Sequence, residues 1–215
     1  DWPALAVDEE LARIAKGLGA QPRIALRCVA HARPESLPDA ALPAHVFHFA
    51  GHGIYETWPS AVPGIDTGLG SLILEDAHGN PEPVTADTLA LKLRAAGVRV
   101  ALLSACDTAR RDDANAWSSV AETLLKAELG AVIGMQLPLV DASGLLFCEH
   151  FYRSLGLGAG IDDAVAAGRV AMAAGGDSRG WATPVLHLRS HDGDIFGEFA
   201  ADAALEGPRA QARTE

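Results

Sequence analysis

Two short stretches of this chain carry residue types that do chemistry. "HFAGHG", residues 48–53, closes an apolar run with two histidines and two glycines, and "LLSACDT", residues 102–108, closes another with a cysteine. A thiolate is a strong nucleophile, and a histidine can carry its proton to a leaving group. His52 and Cys106 are therefore the candidate catalytic pair. Cys106 lies where an apolar strand gives way to a polar loop, so its sulfur can be exposed while its backbone is held. His52 stands between Gly51 and Gly53, which would permit a tight turn and close approach of a substrate backbone. The backbone N–H groups of Gly53 and Cys106 are candidates for an oxyanion hole.

Plainer readings apply to the same residues. Cysteine is among the most buried residue types, and a strand-end cysteine is ordinarily core. The two histidines of "HFAGH" are four apart, a zinc spacing only on a helix, and Gly51 lies between them. No metal site and no cofactor are expected, and His48 is expected to point into the sheet and bond a backbone carbonyl. Ser104 could be a hydrolase nucleophile, but no G-x-S-x-G surrounds it. Cys28, in "ALRCVA", and Cys148, in an apolar helix, are expected to be inert core thiols.

The elements that must position the pair alternate along the chain. "VDEELARIAKGLGA" has Val7, Leu11, Ile14, Ala15 and Leu18 at helical spacing. "RIALRCVA" and "HVFHFA" read as strands, the second stopped by Gly51, and residues 54–70 read as loop because Pro and Gly recur. "SLILEDAHGNPEPVT" resembles a hairpin with a His-Gly-Asn turn, weakened by its prolines. "TADTLALKLRAAG" is a helix with Thr85 as cap and Gly97 as stop. "VRVALLSA" is the strongest buried strand, and "DTARRDDANAW" is a polar loop, with a processing segment as the alternative. The helix "SSVAETLLKAELG", the strand "AVIGMQ", two more helices over "DASGLLFCEHFYRSLGLG" and "IDDAVAAGRVAMAAGG", and the strand "TPVLHLR" complete the pattern. A mostly parallel sheet with helices on both faces follows, with chemistry at the carboxyl ends of its strands.

Composition narrows the function classes. The 215 residues are 49% hydrophobic and 21% charged, as in an ordinary globular protein, and the formal net charge is −11. An extended nucleic-acid footprint would need clustered Lys and Arg, so no direct nucleic-acid partner is expected. Three widely spaced cysteines without a C-x-x-C pair suggest reduced thiols and a cytoplasmic setting. No apolar run of about 18 residues calls for a membrane. The chain begins at Asp1, which fits a piece of something longer. Residues 1–199 read as one domain and 200–215 as a solvated tail.

"HVFHFAGHG", "SLILED" with "LALKLRAAGVRVALLSACDTA", "GAVIGMQLPLVDAS" and "FYRSLGLGAGIDDAVAAGR" together resemble the CHAT domain, a caspase-related peptidase domain often found with TPR repeats. The resemblance covers roughly residues 5–190. It implies a caspase-like three-layer α/β/α sandwich, with His52 as the catalytic histidine and Cys106 as the nucleophile. Their separation, 106 − 52 = 54 residues, is close to the roughly 50 of a caspase signature. It also implies a protein or peptide substrate, and a sensor domain or partner complex that activates a latent effector of bacterial defence or programmed death. Many family members have a tryptophan near Gln136, which this chain lacks.

Specificity is less defined. Related enzymes that cleave after Arg or Lys carry a carboxylate two positions before the nucleophile, where this chain has Ser104, so a small or neutral primary residue is expected. Asp107 reads as a loop carboxylate or helix cap, and Asp76, Asp141 and Trp181 could lie near the cleft. Ser104, Asp107 and Asp141 are the candidate pocket residues. The competing function is a catalytically silent scaffold or protein-binding module.

Overall fold

Two apolar runs, 100–103 and 131–133, lie side by side in the sheet and are fully buried. In a computed structural model, residues 6–19, 21, 24–59, 66–105, 116–135, 141–189 and 193–196 are described. Their elements are α1 (Val7–Leu18), β1 (Val46–Pro59), β2 (Asp66–Glu75), β3 (Pro81–Thr85), α2 (Ala86–Ala95), β4 (Val100–Ala105), α3 (Ala116–Lys126), β5 (Ala131–Met135), α4 (Asp141–Gly156), α5 (Ile161–Ala174) and β6 (Pro184–Leu188). Short 3₁₀ turns occupy Pro34–Ser36 and Gly180–Ala182. The sheet order is β3-β2-β1-β4-β5-β6.

The sheet is mixed rather than mostly parallel. β1–β4 and β4–β5 are parallel, while β1–β2, β2–β3 and β5–β6 are antiparallel. The cause is the two flanks, where β2 and β3 return by short connections and β6 runs back beside β5. Parallel strands occur where both faces are covered, and such strands read as continuous apolar runs. β4 shows this, since Leu102 and Leu103 are adjacent and both fully buried. Ala101 and Leu103 join Phe49, Val132, α2 and α3 in one core. Val100 and Leu102 join Ala131, Ile133, α1, α4 and α5 in the other. None of the described helices is long and apolar enough to cross a membrane.

Several local expectations hold. Thr85 caps α2 by accepting the Thr88 backbone N–H at 3.3 Å, and Gly97 follows that helix with a φ of +77°. The His-Gly-Asn turn joins β2 to β3, and the prolines of β3 are tolerated because it is an edge strand. Asp76 is spent on that turn, accepting the N–H groups of His78 and Asn80 at 2.7 and 2.8 Å. The loop after Cys106, Gln136 and the tail lie outside the described residues.

Two expectations are overturned. The apolar segment 24–30 is irregular and exposed, not a buried strand. Cys28 is accordingly exposed rather than a core thiol. Residues 54–59 and 66–70 are not loop but a paired ribbon, from Ile54↔Ser71 to Pro59↔Asp66. Gly68 accepts an aromatic neighbour, because the Tyr55 ring fills the space a Cβ there would need. Glycine here makes room instead of breaking the strand.

α1 is fastened to α4 through charge. The Glu149 side chain, 5% exposed, meets Arg13 Nη1 at 2.7 Å and Lys16 Nζ at 2.8 Å. Hydrogen bonds from Lys16 and Arg13 lower its pKa to about 2. A depressed carboxyl pKa contributes stability above the unfolded value of about 4.3, which is lost as pH falls toward the folded value. Arg13 and Lys16 are 40% and 60% exposed, so water screens the pairs. Glu149→Gln should lower neutral-pH stability by about 1–2 kcal/mol. In urea titrations from pH 7 to pH 2.5, the gap between the two proteins should narrow below about pH 4. A constant gap would mean that the ion pairs do not hold α1.

Candidate functional site

His52 lies within β1, just past its last pairing with β4, and Cys106, outside the described residues, is next in sequence after β4. β1 and β4 run parallel from Val46↔Val100 to Gly51↔Ala105, and His52 and Cys106 are the next residues in sequence. From β1 the chain proceeds outward through β2 and β3, and from β4 outward through β5 and β6. The strand order thus reverses between β1 and β4, and in α/β sheets the crevice at such a switch point is where ligands bind.

His52 pairs across to Ile73 on β2, is partly buried, and has its Nδ1 atom shielded from solvent. Gly53 is buried opposite Leu72. Cys106 and Asp107 lie outside the described residues, as does the Asp141 side chain, whose backbone opens α4. Trp181 is 44% exposed in a 3₁₀ turn. The described residues therefore bring together the two strands and His52.

Gly51 has a different role from the one expected. It lies inside β1, not at a turn, and an added Cβ would collide with the buried Phe49 ring. The glycine lets that ring lie flat beneath the strand, immediately before His52.

On the other face, a polar cluster forms around His48, which pairs with Leu102 of β4. His48 Nε2 lies 3.0 Å from Glu10 Oε1, and His48 Nδ1 lies 2.8 Å from the Tyr152 hydroxyl. The His48 and Tyr152 rings stack with centroids 5.7 Å apart. Cys148 Sγ donates to the same Glu10 oxygen at 3.1 Å, and Ser104 also hydrogen-bonds this carboxylate. Burial pushes the Glu10 carboxyl up, but His48, Cys148 and Ser104 outweigh it and leave its pKa lowered. Burial, with the nearby Glu10 charge, pushes the Cys148 thiol well up, and burial does the same to the Tyr152 phenol.

This cluster corrects the reading of His48 and adds to those of Cys148 and Ser104. His48 is satisfied by the side chains of Glu10 and Tyr152 rather than by a backbone carbonyl, because strand alternation points it at α1 and α4. Cys148 is buried as expected, yet its thiol faces a carboxylate instead of apolar atoms. Ser104, a candidate pocket residue, helps to lower the Glu10 pKa from the same side. Glu10 and Tyr152 escaped the sequence reading, though a signal existed. Glu10 precedes Ile14 by four and Leu18 by eight, so a carboxylate stands on the buried stripe of α1, and Cys148 and Tyr152 share the buried face of α4.

Gly51→Ala should force the Phe49 ring from its place and cost about 1–3 kcal/mol, as overpacking does. The urea midpoint should fall with an unchanged m value. Unaltered stability would show that the ring has room to turn away.

Comparison with known proteins supplies the family. No curated protein matches the chain by sequence. The family model described as the CHAT domain matches residues 2–191, nearly the whole chain. This chain belongs to the CHAT domain family, a caspase-like peptidase-family domain.

Proposed function

We propose that the protein is a cysteine endopeptidase that makes limited cuts in a partner protein, with Cys106 as nucleophile and His52 as its proton carrier. The observation that carries this reading is the parallel register ending at Gly51↔Ala105 at the switch point of the sheet, with His52 and Cys106 next in sequence after that pair. Membership of a caspase-like peptidase family supports it from an independent direction.

The reaction runs through a thioester. The Cys106 thiolate attacks the scissile carbonyl, and the backbone N–H groups of Gly53 and Cys106 stabilise the oxyanion. His52 protonates the departing amine, then takes a proton from the water that releases the acyl group. With Nδ1 shielded, Nε2 is the ring nitrogen that serves both transfers. Ser104 brings no carboxylate to the position two before the nucleophile, which favours a small or neutral primary residue in the substrate. The family resemblance further supports a latent effector of bacterial defence or programmed death, switched on by a sensor domain or partner complex.

A peptidyl thiol-reactive probe tests the pair directly. Cys28 is exposed and would add background, so the comparison belongs in a Cys28→Ser protein. Mass mapping should find the label on Cys106. His52→Ala should slow labelling by about a hundredfold or more, the lower end of what a positioned acid–base group contributes. Labelling at Cys106 that ignores His52 would sink the dyad and favour a catalytically silent scaffold.

A further inference from the structure

From the polar cluster behind the two strands we infer a binding site for one divalent transition-metal cation of the Zn²⁺ class, ligated by Glu10, His48 and Cys148. This assignment does not depend on the peptidase reading. The three residues come from α1, β1 and α4, and one ligand atom of each lies within 4.8 Å of the other two. Imidazole nitrogen, thiolate sulfur and carboxylate oxygen form a donor set that suits zinc and excludes magnesium or calcium, which take oxygen alone.

The distances are close to those of a metal cage. A tetrahedral zinc with ligands at about 2.0–2.3 Å holds its donors about 3.3–3.8 Å apart. His48 Nε2 and Cys148 Sγ stand 3.0 and 3.1 Å from Glu10 Oε1, so each contact must open by about half an ångström to admit the ion. The Glu10 and His48 side chains are each 13% exposed, which leaves the cluster a rim toward solvent. Water can fill the fourth position, as it does at three-ligand zinc sites.

The surrounding groups have the form of an outer ligand shell. A metal-bound histidine presents its other ring nitrogen to a fixed partner, and His48 Nδ1 already meets the Tyr152 hydroxyl at 2.8 Å. Charge balances when the ion binds. The Cys148 proton leaves to solvent, Nε2 offers its lone pair while Nδ1–H donates to Tyr152, and thiolate plus carboxylate neutralise the dication. Such an ion would staple α1 and α4 to β1, four residues from His52.

Cobalt(II) reports the site by colour. The Cys28→Ser, Cys106→Ala protein removes the other two thiols, so a thiolate-to-cobalt charge-transfer band can come from Cys148 alone. Titration with Co²⁺ should produce that band with one ion per chain, and Zn²⁺ should bleach it. Cys148→Ser should abolish the band, and Glu10→Gln or His48→Gln should weaken Co²⁺ binding at least tenfold. Should the Cys148 variant fail to fold, zinc-edge X-ray absorption of the parent should show a sulfur neighbour near about 2.3 Å. The absence of a thiolate band, its persistence without Cys148, or a zinc shell of only nitrogen and oxygen overturns the assignment.

Discussion

The parallel pairing of β1 with β4 is the constraint on which the remaining structure depends. Six residue pairs, from Val46↔Val100 to Gly51↔Ala105, align two strands whose side chains alternate between two helical faces. A slip of one residue would send Phe47 and Phe49 toward α4 and turn His48 toward α2 and α3. The apolar contacts of both cores and the polar cluster all require the same alignment. One alignment thus satisfies both cores and also places the strand carrying His52 beside the strand that leads into Cys106.

A buried carboxylate is the costliest item that alignment must accommodate. Removing Glu10 from water incurs a penalty of several kcal/mol unless its oxygens are well partnered. Partners reach it from β1, β4 and α4, which are His48, Ser104 and Cys148. The penalty is offset only when those three elements and α1 are assembled together, so the cluster favours one arrangement over near alternatives. α1 is then held at two levels, by Glu10 toward the sheet and by Arg13 and Lys16 on Glu149 of α4.

Much of this was legible from residue types. β4 and β5 declared themselves through unbroken apolar runs, and α2 through Thr85 and Gly97, because each signal acts within its own element. Segments 24–30 and 54–70 misled for the opposite reason. Whether an apolar run pairs depends on a free strand edge, and whether a glycine breaks a strand depends on its cross-strand neighbour. Neither is local information. The same division holds at the site. His52 and Cys106 stood out by type and by following apolar runs, whereas Glu10 and Tyr152 gained meaning only when α1 and α4 came to rest on the His48 face of the sheet.

The ribbon beyond His52 follows different physics from the sheet behind it. From Ile54 to Pro59, β1 pairs with β2 alone among the described strands, while β3 joins β2 only over residues 71–75. A two-stranded ribbon is marginal by itself, since it lacks the second neighbour that would cover its polar backbone. Tyr55 laid over Gly68 supplies part of the missing packing. Local opening should therefore cost less here than in β4, whose side chains are buried on both faces. His52 lies where the pairing with β4 has ended, so the strand carrying it has two neighbours behind it and, among the described strands, one ahead of it.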